Sequence, residues 1–191
     1  ELALSARGLL DAARLLQARY HLVITNVPYL ARGKQNDTLK AYCAQHYPDA
    51  KNDLANVFLE RCLELALPPL PLGEGGGEGQ GQAAGVVQIV MPQNWLFLTS
   101  YKKQRESLLP RLGEGGFDSP QAAGAFIILL TQTRAPAPEG FALHGVDASA
   151  PKSAPEKALL LREGAVVAVS QKGQLGNPDA VVALVANFPT G

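Results

Sequence analysis

Charge of one sign is missing from this chain. Across 191 residues, 17 Lys and Arg balance 17 Asp and Glu. A self-sufficient nucleic-acid module carries a basic excess, so any grip on a polyanion here has to come from a local patch. Cysteine is scarce: Cys43 and Cys62 are the only two. Two cysteines cannot build a disulfide framework and suit a reducing compartment, so a cytoplasmic location is expected. No apolar run approaches the ~20 residues that span a bilayer, and no membrane partner is expected. The first residues carry charges without an apolar core segment, which argues against a signal peptide. The chain opens on Glu1 inside an Ala/Leu/Arg helical pattern and reads as a fragment of something longer. Metal ligands are also sparse. Cys43, His46 and Cys62 contain no Cys-x-x-Cys pair and are too few to close a zinc site, so no metal is expected. Neither cysteine has a neighbouring base that would mark it as a nucleophile.

What is present centres on Tyr20-His21-Leu22-Val23-Ile24-Thr25-Asn26-Val27-Pro28-Tyr29-Leu30. The uncharged run Leu22 to Thr25 predicts a strand buried on both faces of a parallel sheet. Pro28 supplies no N–H and pushes Val27 toward extended geometry, so the strand stops at Asn26. Its C-terminal lip then carries an amide, a rigid turn and an aromatic ring. In open α/β sheets ligands bind at that lip. The Asn26 amide oxygen and the Val27 carbonyl are two acceptors. Together they suit an exocyclic amine, which has two hydrogens to give. Tyr29 adds a face on which a planar base can stack.

Asn26-Val27-Pro28-Tyr29 resembles the Asn-Pro-Pro-Tyr motif of amino-group DNA methyltransferases, the adenine-N6 enzymes in particular. Val27 stands where proline is commonest; the family uses the backbone carbonyl at that position, which valine also has. The run Asn52-Asp53-Leu54-Ala55-Asn56-Val57-Phe58-Leu59-Glu60-Arg61 is similar to the helical segment that follows this loop in the same enzymes. A strand at 86–91, then Pro92-Gln93-Asn94-Trp95-Leu96, then a helix over 101–109 repeats their order. The resemblance covers about residues 20–131. More loosely, Gln174-Leu175-Gly176-Asn177-Pro178-Asp179 resembles a segment of the large methyltransferases of BREX-type, PglX-like phage-exclusion systems and of fused (type IIG) restriction–modification enzymes.

The resemblance implies an α/β fold: the later half of a Rossmann-like, S-adenosylmethionine-dependent methyltransferase sheet. It implies methyl transfer from S-adenosylmethionine to the N6 amine of a flipped-out adenine in double-stranded DNA, beside other subunits of a restriction or phage-exclusion system. Asn26, Val27, Pro28 and Tyr29 would be the catalytic residues. The cofactor's glycine-rich loop does not occur in this sequence, so no cofactor-binding residue can be assigned beyond Asn26 as a candidate. The chain alone is expected to be inactive.

Elsewhere the sequence predicts an amphipathic helix over 2–19, with Leu2, Leu9, Leu10, Ala13, Leu15 and Leu16 near helical spacing. Residues 31–52 predict a polar loop over the site mouth with a short helix at 39–46; Arg32, Lys34 and Lys40 are its candidate DNA contacts. Residues 53–67 predict a helix capped by Asn52 or Asp53 and stopped by Pro68-Pro69. Its expected inner face is Leu54, Val57, Phe58, Cys62 and Leu65. A third strand is expected at 125–131, with strand-like or short buried segments at 164–171 and 180–186. His21 is expected at a strand entry and His144 in a loop.

The expected organisation is a catalytic half-domain at 1–131, carrying a flexible glycine-rich insertion at 73–85, then a Pro/Ala-rich linker at 132–157. Residues 158–191 would begin a segment leading to a target-recognition region. The insertion is no phosphate loop: no strand precedes it, no Lys-Ser/Thr follows, and Glu74 and Glu78 would repel phosphate.

Two alternatives stand beside this reading: a non-catalytic α/β binding or scaffold module, and a methyltransferase acting on a protein glutamine or an RNA amine. The insertion gives a first test. Its glycines would lose much chain entropy on ordering and bring no apolar area to offset it. Replacing Leu72–Gln82 with a short turn should leave the melting temperature nearly unchanged. A drop of many degrees would mean that the stretch packs on the domain.

Overall fold

The structure, a computed structural model, describes residues 2–69, 84–111, 127–148 and 150–184. The glycine-rich insertion thus lies almost wholly outside the described residues, as do Ala125 and Phe126 of the expected third strand.

Helix α1 (Leu2–Gln17) leads into strand β1 (Leu22–Asn26). A 3-10 turn and helix α2 (Asp37–His46) follow; α2 is capped by the Asn36 side chain, which accepts from the Leu39 N–H. Helix α3 (Leu54–Leu65) starts at Asp53, whose carboxylate accepts from the Ala55 N–H at 2.9 Å. Such a cap satisfies one of the orphan donors of the first turn. Strand β2 (Val86–Pro92) follows, then helix α4 (Lys102–Leu108) and strand β3 (Ile127–Thr133).

β2 is the middle strand, parallel to β1 and antiparallel to β3. The parallel pair needs a crossover, which α3 provides within residues 27–85. Strand β3 falls where the third strand was expected and lies beside β2 at the end of the described sheet.

Period-2 alternation divides the sheet into two unlike faces. Val23 and Thr25 lie in register with Val87 and Ile89, which pair in turn with Gln132 and Leu130; Met91 pairs with Ile128. Against this face pack Ala55, Leu59, Cys62 and Leu63 of α3, with Trp95, Tyr101, Leu108 and Leu109 from the segment after β2. The opposite face carries Leu22, Ile24 and Asn26 beside Val86, Gln88 and Val90, then Thr133, Thr131 and Leu129. None of its residues is buried, and Leu22 and Ile24 are 55% and 64% exposed. The expectation that β1 is buried on both faces is therefore corrected. β1 ends the described sheet, and no described element covers its second face. Helix α1 has the predicted apolar spacing, yet Leu9, Leu10, Leu15 and Leu16 are all exposed.

The α3 inner face is also corrected. Its buried residues are Ala55, Asn56, Val57, Leu59, Cys62 and Leu63, while Phe58 is exposed and Leu54 and Leu65 are half-buried. Leu59 packs into the sheet cluster, and Val57 joins a second cluster with Cys43, Tyr47 and Ala50 of the α2 region. With partners on two sides, the helix buries a wider arc than a single 3.6-residue stripe predicts.

The stretch 132–157, read as a linker, carries strand β4 (Ala142–Gly145). His144 accordingly sits in a strand and not in a loop. Helix α5 (Ala154–Glu163) starts with a capping box between Ser153 and Glu156 and precedes strand β5 (Val167–Ser170), antiparallel to β4. Strand β5 falls within the strand-like segment expected at 164–171, whereas β4 was not foreseen. Residues 181–184 form no strand, and 185–186 lie outside the described residues.

Leu59 is fully buried, whereas Ile24 faces outward. Leu59→Ala should cost about 2–5 kcal/mol in urea unfolding. Ile24→Ala should stay within about 0.5 kcal/mol. Equal losses would mean that the second face of the sheet is covered in solution.

Candidate functional site

The lip of β1 is fixed from below and from the side. Asn26 is the last residue of the strand and is exposed. Val27 turns inward and is buried in the sheet cluster with Leu59, Met91 and Trp95. Burial of this side chain holds the peptide unit that bears its carbonyl against the core. Pro28 and Tyr29 return to the surface. Beyond them the chain pairs with the start of α3: Leu54 N–H donates to the Leu30 carbonyl at 3.1 Å and Arg32 N–H to the Asn52 carbonyl at 2.9 Å. The buried Gln35 side chain also donates to the Leu30 carbonyl, at 3.1 Å.

Within this frame the Tyr29 hydroxyl donates to the Asn26 amide oxygen at 3.4 Å. The two side chains that the sequence singled out are therefore neighbours. Burial and the Asp53 carboxylate both raise the Tyr29 pKa above that of a free phenol. Asp53 acts twice here, as the cap of α3 and as a negative charge beside the lip.

Beneath lies a polar layer that the sequence did not reveal. Tyr101 is nearly fully buried, and its pKa is pushed up to about 12 by burial and by Asp53, against the neighbouring Asn56 amide, which lowers it. Asn56 is fully buried, yet neither polar atom of its side chain makes a hydrogen bond of ordinary geometry. Gln104 links the elements: it accepts from the Trp95 indole at 3.1 Å and donates to the Asn56 carbonyl at 3.1 Å and to Glu60 at 3.0 Å. A polar residue between apolar ones on α3 was the available signal for Asn56. Nothing in the sequence points to Gln104.

The basic residues are partly engaged. Arg32 donates to the Lys40 carbonyl at 3.5 Å, and Lys40 lies 3.5 Å from Asp37. Lys34 is exposed. Arg32 and Lys40 thus share one patch on the segment leaving the lip. Among the described residues there is no group of three or more His, Cys, Asp or Glu placed to hold a metal ion. Cys43 and Cys62 are buried free thiols, both with pKa raised chiefly by burial. No helix among the described residues is long and apolar enough to cross a membrane.

A cavity of ≈ 240 Å³ lies away from the lip, lined by Asp49, Glu60, Glu64, Gln104, Arg111 and Arg134 among others, and by none of Asn26, Val27, Pro28 and Tyr29. The lip itself is an open shelf, with Asn26, Pro28 and Tyr29 all exposed. The Gly-x-Gly turn after a strand that would approach a nucleotide closely does not occur among the described residues.

No protein-family model matches the chain. The chain is similar to two curated methyltransferases. It is 29% identical over 102 residues to the adenine-specific methyltransferase PglX of Lacticaseibacillus casei (strain Zhang), a match covering 53% of this chain and 7% of that protein. It is 32% identical over 100 residues to the adenine-specific methyltransferase BrxX of Escherichia coli O9:H4 (strain HS), covering 52% and 7%. The chain thus matches a small part of the length of these relatives. The two matches support a relationship to methyltransferases, and the mixed α/β sheet is compatible with such a fold.

Glu60 gives a pH test of the buried layer. Burial, its largest influence, raises its pKa, with the Gln104 hydrogen bond opposing. A raised folded-state pKa favours folding below the unfolded value, about 4.3 for Glu, and that contribution is lost as pH rises through the folded value. Glu60→Gln keeps an acceptor for Gln104 and removes the charge. Its melting temperature should exceed that of the parent at pH 7, and the gain should shrink as pH falls to 4. A gain independent of pH would show that Glu60 carries no such penalty.

Proposed function

We propose that this chain is part of a DNA methyltransferase that transfers a methyl group from S-adenosylmethionine to the N6 amine of an adenine flipped out of the duplex. It would act within a restriction–modification or phage-exclusion system. The observation that carries this reading is the lip of β1. Asn26 and Tyr29 lie within hydrogen-bond reach of each other at the C-terminal end of a parallel strand, on a turn fixed by Val27 in the core. The two curated relatives, both named adenine-specific methyltransferases, support it.

In this reading the Asn26 oxygen and the Val27 carbonyl accept the two hydrogens of the adenine amine. That holds the nitrogen lone pair out of conjugation and aims it outward. Pro28 fixes the turn between the two acceptors and the ring. Tyr29 stacks on the base. S-adenosylmethionine would supply the methyl electrophile, and its binding residues are not assigned in this chain, Asn26 remaining a candidate. The residues here therefore fit the amine and not the cofactor. Catalysis by these groups rests on alignment and on oriented acceptors for the charge that develops on the amine. Arg32, Lys34 and Lys40 would contact the phosphate backbone. With Lys40 beside Asp37, this patch would contribute modestly to affinity, and the net-neutral chain would depend on other surfaces for most of its grip. The 1–131 segment would be the catalytic part, and residues 158–191 would lead toward target recognition.

The test uses the full-length methyltransferase. Asn26→Ala should cut single-turnover methylation by on the order of 10²-fold or more while DNA affinity changes little. Tyr29→Ala should weaken base capture by about 1–3 kcal/mol, whereas Tyr29→Phe or Tyr29→Trp keeps most activity because the π-face remains. An unchanged rate in Asn26→Ala would reduce the motif to a strand terminator and favour a binding module.

A further inference from the structure

Arg105 is fully buried, and among the described residues every hydrogen bond its guanidinium makes goes to a main-chain carbonyl. Nε donates to Ala180 at 3.1 Å. One terminal nitrogen donates to Trp95, and the other donates to Leu98 at 2.9 Å and to Asp179 at 2.8 Å. Two of these carbonyls belong to the turn after β2, at the edge of the sheet where Asn26 also lies, because β1 and β2 are parallel. The other two belong to a segment about 75 residues further along the chain.

That segment is held in an unusual shape. Asp179 and Ala180 are consecutive non-glycine residues at φ 54° and 52°. Left-handed backbone at such residues persists only where the surroundings over-determine it. The surroundings here are specific. Thr99 donates to the Asp179 carboxylate at 2.8 Å, Lys102 lies 3.7 Å from it, and Val182 N–H donates to the Leu96 carbonyl at 3.0 Å. Leu175 and Val182 pack against the sheet cluster, and Ala180 is buried in it.

We propose that Arg105 is a positioning residue that fastens residues 174–182 as a strap onto the turn at 93–98, fixing one wall of the sheet edge that carries Asn26 and Tyr29. The chemistry requires arginine. Four carbonyls gathered around one side chain match a planar fork of five donors, whereas an ammonium is a point charge with three. The absence of a carboxylate among its hydrogen-bond partners fits a joint between two backbones better than an ion pair. Phe97 and Leu98, both exposed on the gripped turn, would then be held at the rim by a residue that never reaches the surface. The inference concerns placement and does not require the edge to methylate.

Hydrogen exchange on the whole chain tests it. In Arg105→Ala, amides at 95–98 and 177–183 should exchange at least roughly tenfold faster, while 87–91 and 128–132 keep the parent's rates. Added guanidinium at millimolar concentration should restore protection, and ammonium should not. Arg105→Lys should behave like Arg105→Ala. Unchanged exchange at 177–183, or rescue by ammonium as well as by guanidinium, would overturn the proposal. If Arg105→Ala loses protection everywhere, Asp179→Pro decides, since the proline ring cannot take φ 54°. It should release 95–98 together with 177–183 while the sheet stays protected. Continued protection of 95–98 in that variant would overturn the proposal equally.

Discussion

At each end of β1 the chain crosses to α3 through main-chain hydrogen bonds. At the entry end Tyr20 N–H donates to the Leu65 carbonyl and Leu67 N–H to the Tyr20 carbonyl, both at 2.9 Å. At the exit end the Leu30 and Asn52 carbonyls accept from Leu54 and Arg32. The lengths agree. The 12 residues of α3 rise about 18 Å at 1.5 Å each, and the chain from Tyr20 to the end of β1 at Asn26 covers about 20 Å at 3.3 Å per step. Helix and strand therefore form a closed frame, and the Asn26–Tyr29 turn is one of its corners. Gly85 sits at the diagonal corner, where a Cβ would lie 2.4 Å from the Leu67 nitrogen and 2.7 Å from the Tyr20 oxygen. A side chain there would push β2 out of register and move the lip with it.

The same frame explains the unequal faces of the sheet. All the apolar side chains that α3 and the post-β2 segment bury lie on one side, and polar groups stitch that side together. Gln104 joins the turn after β2 to α3, Gln132 donates to the Leu108 carbonyl at 3.0 Å, and Arg134 donates to the Ala66 carbonyl at 2.7 Å. Buried polar groups linked this way specify one arrangement where apolar contacts alone tolerate several. Between strands, the side chains of the other face meet in the 3.4 Å hydrogen bond that Gln88 donates to Thr131. Leu22 and Ile24 on that face, and Leu9, Leu10, Leu15 and Leu16 of α1, stay exposed among the described residues.

Strands β1 and β2 and helices α1 and α3 were legible because their signals are local, whereas β4 and α5 arise in stretches that read as a linker and its continuation. The run before Asn26, the Asp53 cap and the proline that ends β2 each act within a few residues. The lip was legible for the same reason: Asn26 to Tyr29 is a continuous turn, so its geometry follows from Pro28 and the strand end. Burial was less legible. β1 has the composition of a central strand, and its exposure depends on what else pairs with it. Phe58 faces outward although it sits among core positions, because α3 turns toward both the sheet and the α2 region. The Arg105 joint was invisible for a different reason. Its partners are carbonyls, which every residue has, so no residue type marks them. The sequence shows an arginine in a helix, where solvent exposure is the ordinary expectation.

The state of the lip follows from the competition for one oxygen. The Asn26 acceptor is held by the Tyr29 hydroxyl at 3.4 Å, well beyond the 2.7–2.8 Å usual for a hydroxyl donor, so the bond is weak. An amine donating at ordinary length would displace it at little cost, and the freed ring could settle over the base that brought the amine. The displaced phenol is neutral near pH 7, as any tyrosine is, and burial and then Asp53 raise its pKa further. A phenolate would draw the amine's hydrogens away from Asn26, whereas a neutral phenol only yields its place.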